Sequence, residues 1–244
     1  MNYLLLLTIL FIGVAIIIVL SKYRYDEMTK LSFWSSRNKD RHAELIQMLD
    51  IMKDKFDRVN IEWYLIAGGL LGAVRNNKLI PWDDDLDIGI RYNTESDRKR
   101  YIKLILSLYE DDENVIVTEE TILNPLKILN KNNGVFIDIF FYTNISDDII
   151  HSSNSKDRLL YPSAWFRNSE LDNKSSVTLY GKEYRCPSNT VNTLKRWYGD
   201  DCIDTFRVTH AHDSLNILDR TILRLGHYIF SSKIREEHFQ FIWR

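Results

Sequence analysis

Residues 66–90 read IAGGLLGAVRNNKLIPWDDDLDIGI and deliver four aspartates within five positions: Asp83, Asp84, Asp85 and Asp87. Side chains alternate faces along a strand, so an extended chain puts Asp83, Asp85 and Asp87 on one face. Leu86, Ile88 and Ile90 then point the other way, into a core. Carboxylates ~7 Å apart on one face repel unless a cation sits among them. Mg²⁺ or Mn²⁺ meets that need, since hard divalent ions take oxygen ligands and are held by a few carboxylates plus substrate phosphates. Asp84 points away from the other three and reads as a cap on the Pro81-Trp82 corner. Upstream, Gly68-Gly69 reads as a turn where absent side chains let the backbone approach a phosphate. A short helix over 70–75 follows, its N-terminal amides favouring an anion. Arg75 and Lys78 precede the acids and could bind a diphosphate; a solvated helix end is a near-equal reading for Lys78 and a weaker one for Arg75.

Working outward, residues 62–67 (EWYLIA) read as a buried strand. Leu45, Met48, Leu49, Met52, Phe56 and Val59 form a helical stripe over 41–60. A second helix is expected over 95–109. Short strands are expected at 115–117 and 126–129, and a long one at 135–142, VFIDIFFY. Asp138 sits in the middle of that apolar run. A lone buried carboxylate is costly, so it should be paired, metal-bound or at a solvent-facing mouth. A hairpin arm at 180–185 and helices at 191–198, 214–230 and 236–243 complete the chain. The pattern fits an α/β (α+β) class, a small mixed sheet flanked by helices with a helical C-terminal part.

The chain has 244 residues, 45% of them apolar, and a formal net charge of −2. Such a balance supports a real core and excludes the basic face of a nucleic-acid binder. Two cysteines, Cys186 and Cys202, fit neither a disulfide scaffold nor paired zinc-ligand spacing; one disulfide and two buried thiols both remain open. His210 and His212 lack an evident third metal ligand. An EF-hand beginning at Asp83 fails, because its required glycine would be Ile88 and its final glutamate Thr94.

Residues 3–20, YLLLLTILFIGVAIIIVL, are uninterrupted apolar and small residues. At ~1.5 Å per residue, a helix of this length nearly spans a ~30 Å hydrocarbon layer. No basic residue precedes the run and no small-x-small cleavage site follows it, which favours a retained anchor over a signal peptide. Lys22, Arg24 and Lys30 would hold the following side in the cytosol. The sequons at Asn144 and Asn173 argue for a lumenal side, so orientation stays open.

Three segments together carry a family resemblance: GGLLGAVRNNKLIPWDDDLDIGI at 68–90, VFIDIFFY at 135–142, and LYGKEYRCPSNTVNTLKRWYGDD at 179–201. They are similar to the core of the LicD family, which includes bacterial phosphocholine transferases and the animal fukutin and fukutin-related proteins. The resemblance implies a nucleotidyltransferase-like fold, with Gly68-Gly69 as its glycine turn, Asp85 and Asp87 as its paired acids and Asp138 as the third. It implies that Asp85 and Asp87 bridge two metal ions, with Asp138 completing the second site or acting as general base. Asp83 would be a further ligand or bond the groups behind it, and Gly68, Gly69, Arg75 and Lys78 would hold the donor. Tyr198-Gly199-Asp200 matches a late motif, read as packing near the acceptor.

The reaction implied moves a phosphorylated group, such as phosphocholine or ribitol phosphate, from a CDP-linked donor to a hydroxyl of a glycan or glycoconjugate, releasing CMP. The expected organisation is a transmembrane anchor at 1–21, a stalk at 22–40 and a catalytic domain at 41–244. The resembling animal proteins place such an enzyme, as a single-pass glycoprotein, in the Golgi or ER membrane if the source is eukaryotic. Two alternatives remain: an Asp-x-Asp glycosyltransferase, disfavoured by the short stretch ahead of the motif, and a non-catalytic scaffold in a glycan-modifying complex, disfavoured by the intact acids.

Overall fold

The computed structural model describes residues 3–28, 38–119, 121, 124–205 and 216–230. These fall into two compact units, one covering 39–206 and the other 1–38 with 207–244.

The larger unit is built on a mixed sheet. In chain order its elements are α2 (Lys39–Arg58), β1 (Tyr64–Leu65), α3 (Ala67–Asn76), β2 (Leu86–Arg91) and α4 (Glu95–Leu108). Then follow β3 (Val115–Thr118), β4 (Leu126–Asn130), β5 (Phe136–Asn144), β6 (Ile149–Ser152) and α5 (Ser155–Leu160). The unit ends with β7 (Phe166–Arg167), α6 (Asn168–Asp172), the β8–β9 hairpin (Ser175–Leu179, Lys182–Cys186) and α7 (Thr190–Tyr198). The sheet order is β1-β2-β5-β4-β3, with β6 on the far end of β5 and β7 on β6. Only β2 and β5 run parallel; the other pairs are antiparallel.

Registered partners share a sheet face, so Leu86, Ile137 and Ile128 line up across three strands, as do Ile88, Ile139 and Leu126. All six have no exposed surface. With the apolar stripe of α2 they form the main core, and α2 lies against β5. Lys55 donates to the Leu108 carbonyl and sits over the Tyr109 ring, tying α2 to the end of α4. That helix starts where Thr94 and Asp97 cap each other reciprocally. The opposite sheet face carries a smaller core of Ile66, Tyr142, Ile150, Phe166, Leu171 and Trp197. Phe166 links its aromatics, 5.1 Å from Tyr142 and 5.0 Å from Trp197 between ring centroids.

Two local expectations change. The strand expected at 62–67 shortens to Tyr64–Leu65, because α3 already begins at Ala67. The left-handed residue at this corner is Ala67 (φ 49°), and Gly68 and Gly69 lie inside the first helical turn. Residues 145–172, given no structure by their pattern, fold into β6, α5, β7 and α6. The histidines at 210 and 212 and the helix expected at 236–243 lie outside the described residues. Cys186 and Cys202 are both free and buried.

In the smaller unit, α1 (Tyr3–Met28) contains a 22-residue stretch, Leu7–Met28, long and apolar enough to cross a membrane; Tyr25 and Met28, near its end, are buried. The helix continues past residue 21 and pairs with α8 (Ile217–Phe230). Arg24 clasps Asp219 through two hydrogen bonds, and the Tyr25 ring fills the space over Gly226.

Candidate active site

The parallel pairing sets Asp87 of β2 directly opposite Asp138 of β5, and the antiparallel pairing sets Asp138 opposite Lys127 of β4. Two carboxylates and an ammonium therefore stand in one row across three adjacent strands, ~4.8 Å apart along the row. Asp85, one residue before β2, points to the same side. Asp85, Asp87 and Asp138 can each offer a carboxylate oxygen within 4.8 Å of the other two. Lys127 Nζ lies 3.2 Å from Asp138 Oδ1 and 3.3 Å above the Phe136 ring.

The turn feeding the acids is held from behind by α2. His42 Nε2 donates to the Asp83 carbonyl (2.8 Å), and Arg41 donates to the carbonyls of Asp84 (2.7 Å) and Gly134 (3.2 Å). Burial lowers the His42 pKa, which keeps the ring neutral with its proton on Nε2. Trp82 and Asp84 are buried, and Asp83, Asp85 and Asp87 are partly open. The alternation expected from the sequence is thus present, with Trp82 a core residue.

Electrostatics mark the same place. Burial raises the Asp87 pKa well above the carboxylate range, and the charges of Asp85, Asp138 and Asp83 add to the shift. Burial pushes Asp138 up to about 6 even though Lys127 opposes the shift. Asp138 Oδ1 is buried and is met by the Lys127 ammonium, 3.2 Å away. Three mutually repelling carboxylates beside one ammonium leave an excess of negative charge that a further cation would neutralise. Asp85, Asp87 and Asp138 could therefore hold a metal ion.

The other expected residues divide. Gly68 abuts the site: a Cβ there would lie 2.3 Å from Asp83 Oδ2, so the Asp83 carboxylate occupies the space that the missing side chain leaves. At Gly69 a Cβ would lie 2.7 Å from the Leu86 side chain, so this glycine serves close packing of helix on strand. Arg75 donates to the carbonyls of Cys202 and Thr205, tying α3 to the loop after α7. Lys78 is exposed beyond the left-handed Asn77 that ends α3.

Lys127, Tyr142 and Tyr161 were given no role by the sequence, and Tyr198 only one in packing. Burial first, and then the charge of Asp87, raises the pKa of each of the Tyr142, Tyr161 and Tyr198 hydroxyls. Tyr142 lies along the face of Asp138, with its ring over Gly89. Tyr198 closes α7 within the late motif read as packing, and that motif was the signal available. Lys127 gave none, because its place depends on strand register.

The model of the LicD/FKTN/FKRP nucleotidyltransferase domain matches residues 60–189. The uncharacterized protein RP689 of Rickettsia prowazekii (strain Madrid E) is 26% identical over 220 residues, covering 87% of this chain and 76% of its own. RT0683 of Rickettsia typhi (strain ATCC VR-144 / Wilmington) is 24% identical over 226 residues, covering 87% of this chain and 64% of its own. The lipopolysaccharide cholinephosphotransferase LicD of Haemophilus influenzae (strain ATCC 51907 / DSM 11121 / KW20 / Rd) is 24% identical over 124 residues. That match covers 45% of this chain and about half of the relative, 46%. Among solved structures, ANT(2")-Ia in complex with adenylyl-2"-tobramycin gives a TM-score of 0.38 at 14% identity, covering 82% of this chain and 97% of that one. Such a score carries no argument. The family match takes in more than half of the chain, with all three acids of the triad inside it, and on that ground the chain belongs to the LicD/FKTN/FKRP nucleotidyltransferase-domain family.

Proposed function

We propose that the protein is a metal-dependent phosphotransferase that moves a phosphorylated group from a CDP-linked donor to a glycan hydroxyl and releases CMP. The carrying observation is the triad of Asp85, Asp87 and Asp138, each able to offer a carboxylate oxygen within 4.8 Å of the other two. The named activity of the Haemophilus relative, a lipopolysaccharide cholinephosphotransferase, supports the classes of transferred group and acceptor. α1 would anchor the enzyme beside a membrane-borne acceptor.

A bound Mg²⁺ or Mn²⁺ would neutralise the donor's phosphates and the charge that develops at phosphorus. Asp85, Asp87 and Asp138 would hold it. Asp83 lies against the first turn of α3, where helix amides have no partner within the helix and favour an anion. The Gly68 and Gly69 amides are the proposed contacts for the donor phosphate, with Lys78 at the mouth. Arg75 enters as a tether, its guanidinium engaged by two carbonyls. The acceptor oxygen bonds to the distal phosphorus of the donor, the bond from that phosphorus to the bridging oxygen breaks, and CMP leaves with that oxygen. Asp138, at the junction of β5 and the acid cluster, is the proposed acceptor of the hydroxyl proton.

The test uses the full chain in detergent with Mn²⁺, a glycan acceptor, and CDP-, UDP- and GDP-linked donors. CMP release that is lost in Asp85→Ala supports the reading. UDP or GDP release would replace it with a glycosyltransferase, and normal turnover in a folded Asp85→Ala protein would remove the metal assignment.

A further inference from the structure

We infer that Lys127 stands in place of a second metal ion, so that the acidic site binds one divalent cation and not two. The inference rests on the metal reading above and concerns how many ions the acids can hold. Two-metal sites set their ions ~3.5–4 Å apart, with shared carboxylates between them. Here the β4 side of Asp138 already holds a cation. Lys127 is the registered partner of Asp138, its Nζ is 3.2 Å from Asp138 Oδ1, and the Phe136 ring lies 3.3 Å beneath it.

That position is fixed from three directions. Leu126 and Ile128, on either side of Lys127, have no exposed surface and pin β4 in the core. Phe136 lies two residues before Asp138 on the same strand face, so the ring and the carboxylate approach the ammonium together. A cation over an aromatic face is attracted to it, more strongly once desolvated. A second dication on this side would have to displace the ammonium or sit within a few ångströms of it. Asp83, the remaining acid of the alternating run, is turned toward Gly68. The lysine is thus a positioning residue, which keeps Asp138 directed at one ion and leaves a fixed positive charge beside the donor's phosphates.

The experiment is Mn²⁺ titration of the full chain in detergent with CDP present, read by calorimetry and by the spin-resonance signal of free Mn²⁺. Three proteins are compared: unaltered, Lys127→Met and Lys127→Arg. The expected result is one Mn²⁺ per unaltered chain. Removing a unit charge near the ion should tighten Mn²⁺ binding about tenfold in Lys127→Met, while Lys127→Arg stays close to the unaltered protein. Two ions bound by the unaltered chain would overturn the inference whatever the variants do, so it remains testable even if Lys127→Met does not fold. An unchanged Mn²⁺ affinity in a folded Lys127→Met would overturn it as well, leaving the metal site intact. No Mn²⁺ binding by the unaltered chain would instead remove the metal reading, and this inference with it.

Discussion

Asp87 and Ile88 are neighbours in the chain, and each faces its own kind across β5: Asp138 for one, Ile139 for the other. Ile88 and Ile139 have no exposed surface and pack into the main core. Asp87 and Asp138 crowd two carboxyls whose pKa values burial drives up. A single backbone register therefore produces both a stabilising face and a destabilised one. The alternation of the strand lets the protein hold its acids together against their repulsion, because the apolar residues between them cannot leave the core.

The comparison breaks most visibly by removing one member from each face. Asp87→Ala should lower CMP release by about a thousandfold, ~4 kcal/mol in barrier, while the metal-free protein unfolds at the same temperature or higher. Ile139→Ala should do the reverse, costing ~2–5 kcal/mol of stability, and turnover per folded molecule should persist. Parallel denaturant and nucleotide-release measurements decide both. An Asp87→Ala protein that loses stability while keeping activity would merge the two faces into one.

Acidity sharpens the contrast. Folding raises Asp138 from 3.8 to about 6. Its contribution to stability is full below the unfolded value and is lost as pH rises through about 6. The loss is roughly 3 kcal/mol for a shift of this size, and Asp87 acts in the same direction. Metal-free protein should therefore melt at a lower temperature at pH 7 than at pH 5, and saturating Mn²⁺ should flatten or invert that slope. A metal-free protein with no such slope would mean that the carboxylates are not crowded as described.

The smallest effect is expected at Gly89, where the faces meet. A Cβ there would lie 3.1 Å from the buried Tyr142 ring. Gly89→Ala should cost ~1–3 kcal/mol through overpacking and slow turnover severalfold as the ring shifts beside Asp87. Thermal unfolding and steady-state rates would show it.

Much of the strongly periodic part of this design is legible in the linear chain. The alternation from Asp83 to Ile90, the stripe of α2 and the apolar run around Asp138 each follow from a short repeat in hydrophobicity. The glycine pair misled in one respect: φ > 0 fell on Ala67, and the glycines serve close approach to Asp83 and Leu86. Residues 145–172 were opaque because β6 and β7 are four and two residues long, too short to show a period. Their anchors are tertiary, as in the buried Glu170 carboxylate, which accepts from Arg196 while that guanidinium stacks on Trp165. Lys127 was equally hidden. Whether a lysine in a five-residue strand meets Asp138 or water depends on register with a strand elsewhere in the chain.

The Asp83 carboxylate resting where a Gly68 side chain would be has a consequence for divergence. Positions 68 and 83 share one volume, so a methyl at the first would oblige the carboxylate at the second to turn out of its place. Lineages that keep the acid in this place gain from keeping the glycine. Those that lose the acid are free to fill the gap, and the two positions should drift as a coupled pair while the loop between them varies independently.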